Sequence, residues 1–154
     1  MYEVLRTDAF MKTTYFLRAA ALVTLFFFAG HTSGYPWTPD TRPAASAVIE
    51  AMKGHSFDVV GSIRTFWDFY IAFGLAISLF QLLQAVVLWQ LSGMARTKAA
   101  TVRPIIGVFC IAYFINALLA VKFLFVIPVV TSVVISLILA LAFYFAGRPR
   151  SAEI

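Results

Sequence analysis

The chain of 154 residues is 62% hydrophobic and 12% charged, with a formal net charge of +5. That length fits one compact bundle and leaves no room for a second domain, so 1–154 is expected to be a single integral membrane domain. Nucleic acid is excluded as a partner, because no basic stripe interleaved with aromatic residues is present and the cations sit at the ends of apolar stretches.

Four apolar stretches, roughly 14–30, 65–91, 105–121 and 127–146, have almost no ionisable residue in their interiors. Crossing a bilayer core of about 30 Å as a helix takes about 20 such residues. Phe, Leu, Val and Ile occupy all sides of these segments, as helices in lipid require. The predicted fold is all-α, a four-helix transmembrane bundle with a short extracytoplasmic helix between spans one and two.

The first stretch follows Lys12 and contains Arg18, an arrangement shared with secretory leaders. Its apolar run starts before Arg18, whose long side chain can snorkel to the interface, so it is expected to be retained as a helix. The connection 31–64 opens with turn-forming residues from Ser33 to Asp40. A helix is predicted over about 42–53, with Thr41 or Asp40 as its cap, Pro43 in the first turn and Gly54 at its end. Ala45, Val48, Ile49 and Met52 recur at helical spacing and give it one apolar face.

In the second stretch, Gly74, Ser78 and Gln81 form a narrow stripe, read as close helix packing with a polar head-group pocket as the alternative. The next connection, 92–103, carries Arg96, Lys98 and Arg103 and no acid. Cys110, alone of its kind, falls in the third stretch and reads as a small apolar residue, with no disulfide to form. A tight turn leads to Pro128, which opens the fourth stretch with its small-residue stripe Ser132, Ser136 and Ala140. Such stripes are also faces for homo- or hetero-oligomer contacts. Trp37, Trp67 and Tyr70 at one boundary, and Tyr15 and Trp89 at the other, read as aromatic belts.

Eight of the twelve Lys and Arg residues (Arg6, Lys12, Arg18, Arg96, Lys98, Arg103, Arg148 and Arg150) share one side if the termini do. Arg42, Lys53, Arg64 and Lys122 fall on the other. The bias predicts cytoplasmic N- and C-termini and places 31–64 outside the cytoplasm.

On that outer side lie the candidate site residues His31, His55, Arg64, Asp68, Asn116 and Lys122, with Asp40, Glu50 and Asp58 in the connecting segment. The bland reading of each is structural. Arg64 and Asp68 are spaced for an i,i+4 ion pair, Lys122 can snorkel or neutralise Asp68, and His31 can cap a helix. No close His ligand spacing suggests a metal, and neither a nucleophile elbow nor a phosphate-cradling glycine loop is present. No cofactor is expected. The membrane interior holds no central acid, Lys or His of the kind a proton-coupled exporter uses.

Four strings stand together along the chain: Gly30-His31-Thr32 with Pro36-Trp37-Thr38-Pro39, Met52 to Asp58, Arg64-Thr65-Phe66-Trp67-Asp68-Phe69-Tyr70, and Val102-Arg103-Pro104. Read together, they resemble a family of small, uncharacterised bacterial four-helix integral membrane proteins. The similarity runs from span one to span four, and Arg-x-Phe-Trp-Asp-Phe-Tyr is its most specific element. The resemblance implies the architecture and a bacterial inner membrane, and supplies no activity.

The leading expectation is therefore an inner-membrane protein with no enzymatic activity assigned. Besides the lipid bilayer, it binds a hydrophobic or amphipathic ligand (a lipid or quinone-like molecule) or a protein partner through its extracytoplasmic face. One alternative is a membrane-surface enzyme using His31, His55 and Asp68, since histidine titrates near neutral pH. A second is a small transporter of a neutral compound.

Overall fold

The computed structural model describes residues 2–34 and 40–148, with the backbone alone for 2–9. The Pro36 to Pro39 string, the proposed belt residue Trp37 and the terminal Arg150 lie outside the described residues. The elements in order are α1 (Tyr2–Gly34), α2 (Pro43–Gly54), β1 (Ser56–Val59), β2 (Ser62–Thr65), α3 (Phe66–Phe123) and α4 (Val126–Ala146). Three helical stretches, Phe10–Gly34, Phe66–Phe123 and Val126–Ala146, are long and apolar enough to cross a membrane.

Burial supports the same conclusion by its inverted size pattern. The buried positions are mostly small: Ala20, Ala21, Ala85, Ala95, Ala99, Ala117, Ala120, Ala142 and Ala146, with Thr13, Thr24, Ser92 and Ser132. Phe26, Phe73, Phe80, Phe114, Val108 and Leu137 point outward. A water-soluble chain would bury its large apolar groups, whereas lipid solvates them and leaves small residues to bring helices close. The molecule is a helical membrane protein.

The chain divides into two compact units, one of residues 1–27 with 83–154 and the other Phe28–Leu82. In the first, α3 is broken at Lys98, whose φ of −134° and ψ of 49° are not helical. Arg18 of α1 lies over Trp89 before the break, while Thr24 of α1 bonds Tyr113 after it. Trp89 and Tyr113 would stand about 36 Å apart on a straight helix, whereas Arg18 and Thr24 stand only about 9 Å apart on α1. The two limbs of α3 must therefore double back on one another at Lys98. The predicted loop over 92–103 is thereby corrected to helix on both sides of a single residue, with Ser92, Ala95, Ala99 and Val102 buried. Buried small side chains favour continued helix there, since a loop would strand backbone groups.

The second limb of α3 runs antiparallel to α4, as contacts Arg103–Phe143, Cys110–Ser136 and Asn116–Ser132 show. Cys110 and Ser136 exchange contacts: the Ser136 hydroxyl donates to the Cys110 carbonyl at 3.1 Å, and the thiol lies 3.4 Å from the Ser136 carbonyl. Gly107 faces the Phe143 ring, which a Cβ would meet at 3.1 Å. The expected stripe on α4 is corrected at one position. Ser132 and Ser136 are buried, but Leu139 continues that face and Ala140 is exposed.

In the second unit, α1 continues through Ser33 to Gly34, past the turn predicted there. The cap of α2 also differs from expectation. Arg42 is the N-cap residue and offers no side-chain cap, while Asp40 Oδ1 accepts the Arg42 backbone N–H at 3.0 Å and pairs with its guanidinium. Those hydrogen bonds, the side-chain ones foremost, hold the Asp40 carboxyl below the usual carboxylate range. Pro43 occupies the first turn as predicted, and none of the residues of α2 is buried.

A β-hairpin absent from the sequence reading follows directly. β1 and β2 pair antiparallel with Phe57 opposite Arg64 and Asp58 opposite Ile63. Val60 and Gly61 form the tip with φ of 52° and 80°, the double positive φ of a two-residue turn matched to strand twist. Asp58 Oδ1 accepts the Gly61 N–H at 2.8 Å. Gly61 adopts this conformation readily; a β-branched Val60 does so under strain.

Candidate functional site

Within the unit Phe28–Leu82, the start of α3 is held by a reciprocal cap. Asp68 Oδ2 accepts from the Thr65 N–H at 2.7 Å and the Thr65 hydroxyl at 2.9 Å, while Thr65 Oγ1 accepts the Asp68 N–H at 3.1 Å. Thr65 and Asp68 thus satisfy two backbone donors that a helix leaves open at its N-terminus. The predicted Arg64–Asp68 ion pair is not formed. Arg64 instead donates from Nη1 to the Ile63 carbonyl at 2.7 Å, because strand β2 sets its side chain beside its own backbone.

The hairpin folds its aromatic side onto this first turn. His55 stacks on Phe66 at 5.5 Å, Phe57 lies 4.8 Å from Phe66, and Phe57 stacks on Phe69 at 5.9 Å. Lys53 of α2 sits 5.3 Å over the Trp67 ring. The exposed faces of Phe66, Tyr70 and Phe73 complete an aromatic-rich surface.

His31 is engaged elsewhere in the unit. Its Nδ1 lies 3.0 Å from the Ser78 hydroxyl, which also accepts the Thr32 hydroxyl at 2.9 Å. Ser78 is 5% exposed, so the small-residue stripe here joins α1 to α3 through polar contacts. One turn further along α3, Gln81 Oε1 is buried with no hydrogen-bond partner.

His31, His55 and Asp68 are therefore engaged on three different neighbours: Ser78, Phe66 and Thr65. Asn116 and Lys122 belong to the other compact unit. There Asn116 Nδ2 donates to Ser132 Oγ at 2.8 Å, and Lys122 Nζ lies 5.0 Å over the Phe123 ring. Among the described residues, no three His, Cys, Asp or Glu side chains gather closely enough to hold a metal ion.

Thr65, Phe57 and Thr32, engaged in these contacts, are not among the site residues expected from sequence. A signal existed for the first: Thr65-Phe66-Trp67-Asp68 before an apolar run has capping-box spacing. The alternation Ser56-Phe57-Asp58-Val59 and Ser62-Ile63-Arg64-Thr65 around a Gly-containing pair also foretold the hairpin. Comparison of the chain with models of protein families, with curated proteins and with solved structures finds no match.

Proposed function

We propose that this is a four-span protein of a bacterial inner membrane, with cytoplasmic termini, that binds an amphipathic ligand through its Phe28–Leu82 unit. The fold-back at Lys98 supports counting α3 as two spans. The asymmetry of Lys and Arg supports the orientation, and the family resemblance of the Arg64 to Tyr70 run supports the bacterial setting. In this orientation α2 and the hairpin form an extracytoplasmic cap.

The observation that carries the ligand reading is the buried, unpartnered end of Gln81. It sits one turn from Ser78, which bonds His31 and Thr32. A polar group buried without a partner costs about 1–3 kcal/mol, so its retention calls for a partner that arrives from outside the chain. A ligand head group with a hydroxyl or carbonyl, as in a lipid or a quinone-like molecule, satisfies it. Ile77, one turn before Gln81, is half exposed and offers apolar surface for the tail.

Native mass spectrometry of the mildly extracted full chain tests this reading. The wild type is expected to carry a small amphipathic ligand, and Gln81→Leu to retain it at least about fivefold less, the factor matching one hydrogen bond of about 1 kcal/mol. A wild type that carries nothing, or a Gln81→Leu variant that retains as much, defeats the proposal.

A further inference from the structure

In the other compact unit, α1 carries an ionisable residue one turn inside its apolar stretch. Arg18 lies with its guanidinium 5.2 Å over the Trp89 ring, and its Nε is buried with no hydrogen-bond partner. Thr14, one turn earlier on the same face, is 6% exposed, and its hydroxyl is likewise buried and unpartnered. A helical Thr ordinarily returns its hydroxyl to the carbonyl four residues back. Thr24 does so to Ala20 at 2.9 Å and Thr131 to Ile127 at 2.8 Å. Thr14 does not. Two orphaned donors, i and i+4 on one helix, one of them charged, form a pair that only an acceptor from outside the chain completes.

From this pair we infer a binding site for the anionic head group of a membrane phospholipid, with Thr14 and Arg18 donating to its phosphate beside Trp89. The site goes beyond the ligand reading for Gln81 and does not depend on it. The charge of the occupant follows from the surroundings. Arg103 lies 4.2 Å over the Phe143 ring and donates to the Phe143 carbonyl, and Arg148 lies over Tyr144 and Phe145 and donates to the Tyr144 hydroxyl. These arginines rest on rings and neutral oxygens, so their positive charge stays available to an anion. Arginine suits the role because its planar fork matches phosphate and it stacks on aromatic rings. That the anion belongs to a lipid follows from the same stripe of α1. Leu22 and Leu25, four and seven residues after Arg18, are 55% and 42% exposed and lay an apolar track for an acyl chain. A charge within a membrane helix marks a functional site by default, and here its partner is the lipid itself.

The test uses delipidated full-length protein in detergent, titrated with phosphatidylglycerol or phosphatidylcholine and read by native mass spectrometry. Wild type is expected to retain phosphatidylglycerol about tenfold better than phosphatidylcholine, and Arg18→Gln to lose about tenfold of that retention, as removal of a charge-assisted hydrogen bond predicts. Thr14→Val is expected to weaken retention while raising the melting temperature of the lipid-free protein, because it deletes an unsatisfied hydroxyl. A purely structural threonine would not give that pair of opposite effects. Arg96→Gln, at an exposed cation that takes no part in the site, should leave phosphatidylglycerol retention within twofold, about the scatter of exposed charges. The proposal is overturned if Arg18→Gln and Thr14→Val retain the lipid like wild type. Equal loss in Arg96→Gln overturns it in favour of a diffuse basic surface. Thermal stabilisation by inorganic phosphate as large as that by phosphatidylglycerol overturns it in favour of a free anion.

Discussion

At the scale of single residues, the role of Asp68 is decided by two backbone hydrogen bonds rather than by a charge. Its carboxylate and the Thr65 hydroxyl close the first turn of α3 on each other, while the Arg64 guanidinium turns to the Ile63 carbonyl. Asp68→Ala should therefore cost about 1 kcal/mol, typical of a lost helix cap, and speed amide exchange in the first turn of α3. Arg64→Ala should change stability by less than about 0.5 kcal/mol, as exposed charges usually do. Equal effects of the two substitutions in thermal melts would restore the ion pair. The i,i+4 spacing alone favoured the pair because spacing carries no information about the strand that precedes the helix. Val60 makes the same point, since a β-branched residue with a φ of 52° at a fully exposed hairpin tip is set by its turn and by no preference of its own.

At the scale of elements, the C-terminal end of α4 is held by a residue from α3. Arg103 Nε donates at 3.3 Å to the Phe143 carbonyl, one of the last acceptors a helix leaves unpaired, and its cation lies at the negative end of the helix dipole. The close approach needs Gly147, where a Cβ would stand 2.5 Å from Arg103 Cζ. The φ of Gly147 is −91°, so alanine is opposed only by the guanidinium, the movable end of the Arg103 side chain, and by nothing in its own backbone. Gly147→Ala should displace the guanidinium and cost about 1 kcal/mol, the worth of one hydrogen bond. In an Arg103→Ala background the same change should be nearly silent, giving a coupling of about that size in a double-mutant cycle of unfolding. Additive costs would show that Gly147 serves something other than Arg103. Arg103 falls in the connection expected over 92–103. The correction rests on Val102 and Ile106, whose burial beside it keeps the segment helical.

At the scale of the whole molecule, composition and burial agree that lipid is the solvent of this chain, since small residues make up most of the buried positions while many phenylalanines and most leucines lie outside. The proposed orientation predicts that a reporter fused to the C-terminus reads cytoplasmic and one inserted beside Asp40 reads periplasmic. The reverse result would move α2 and the hairpin to the cytoplasm. The apolar stretches, the tight turn before Pro128 and the helix from Pro43 were legible because length, hydropathy and proline placement act locally. Four apolar segments and a bias of cations are properties of the chain read in one dimension, and the membrane-embedded helical class follows from them alone. Tertiary structure decided the rest. It reduced the basic connection to one non-helical residue at Lys98, because buried small side chains hold helix on either side. It engaged His31, His55 and Asp68 on separate neighbours, because each is claimed by a partner that spacing does not reveal: Ser78 from another helix, Phe66 across the hairpin junction, Thr65 at the cap. It also left Thr14, Arg18 and Gln81 with buried polar atoms unsatisfied, since a hydrogen-bond vacancy exists only where packing has removed water and supplied no partner.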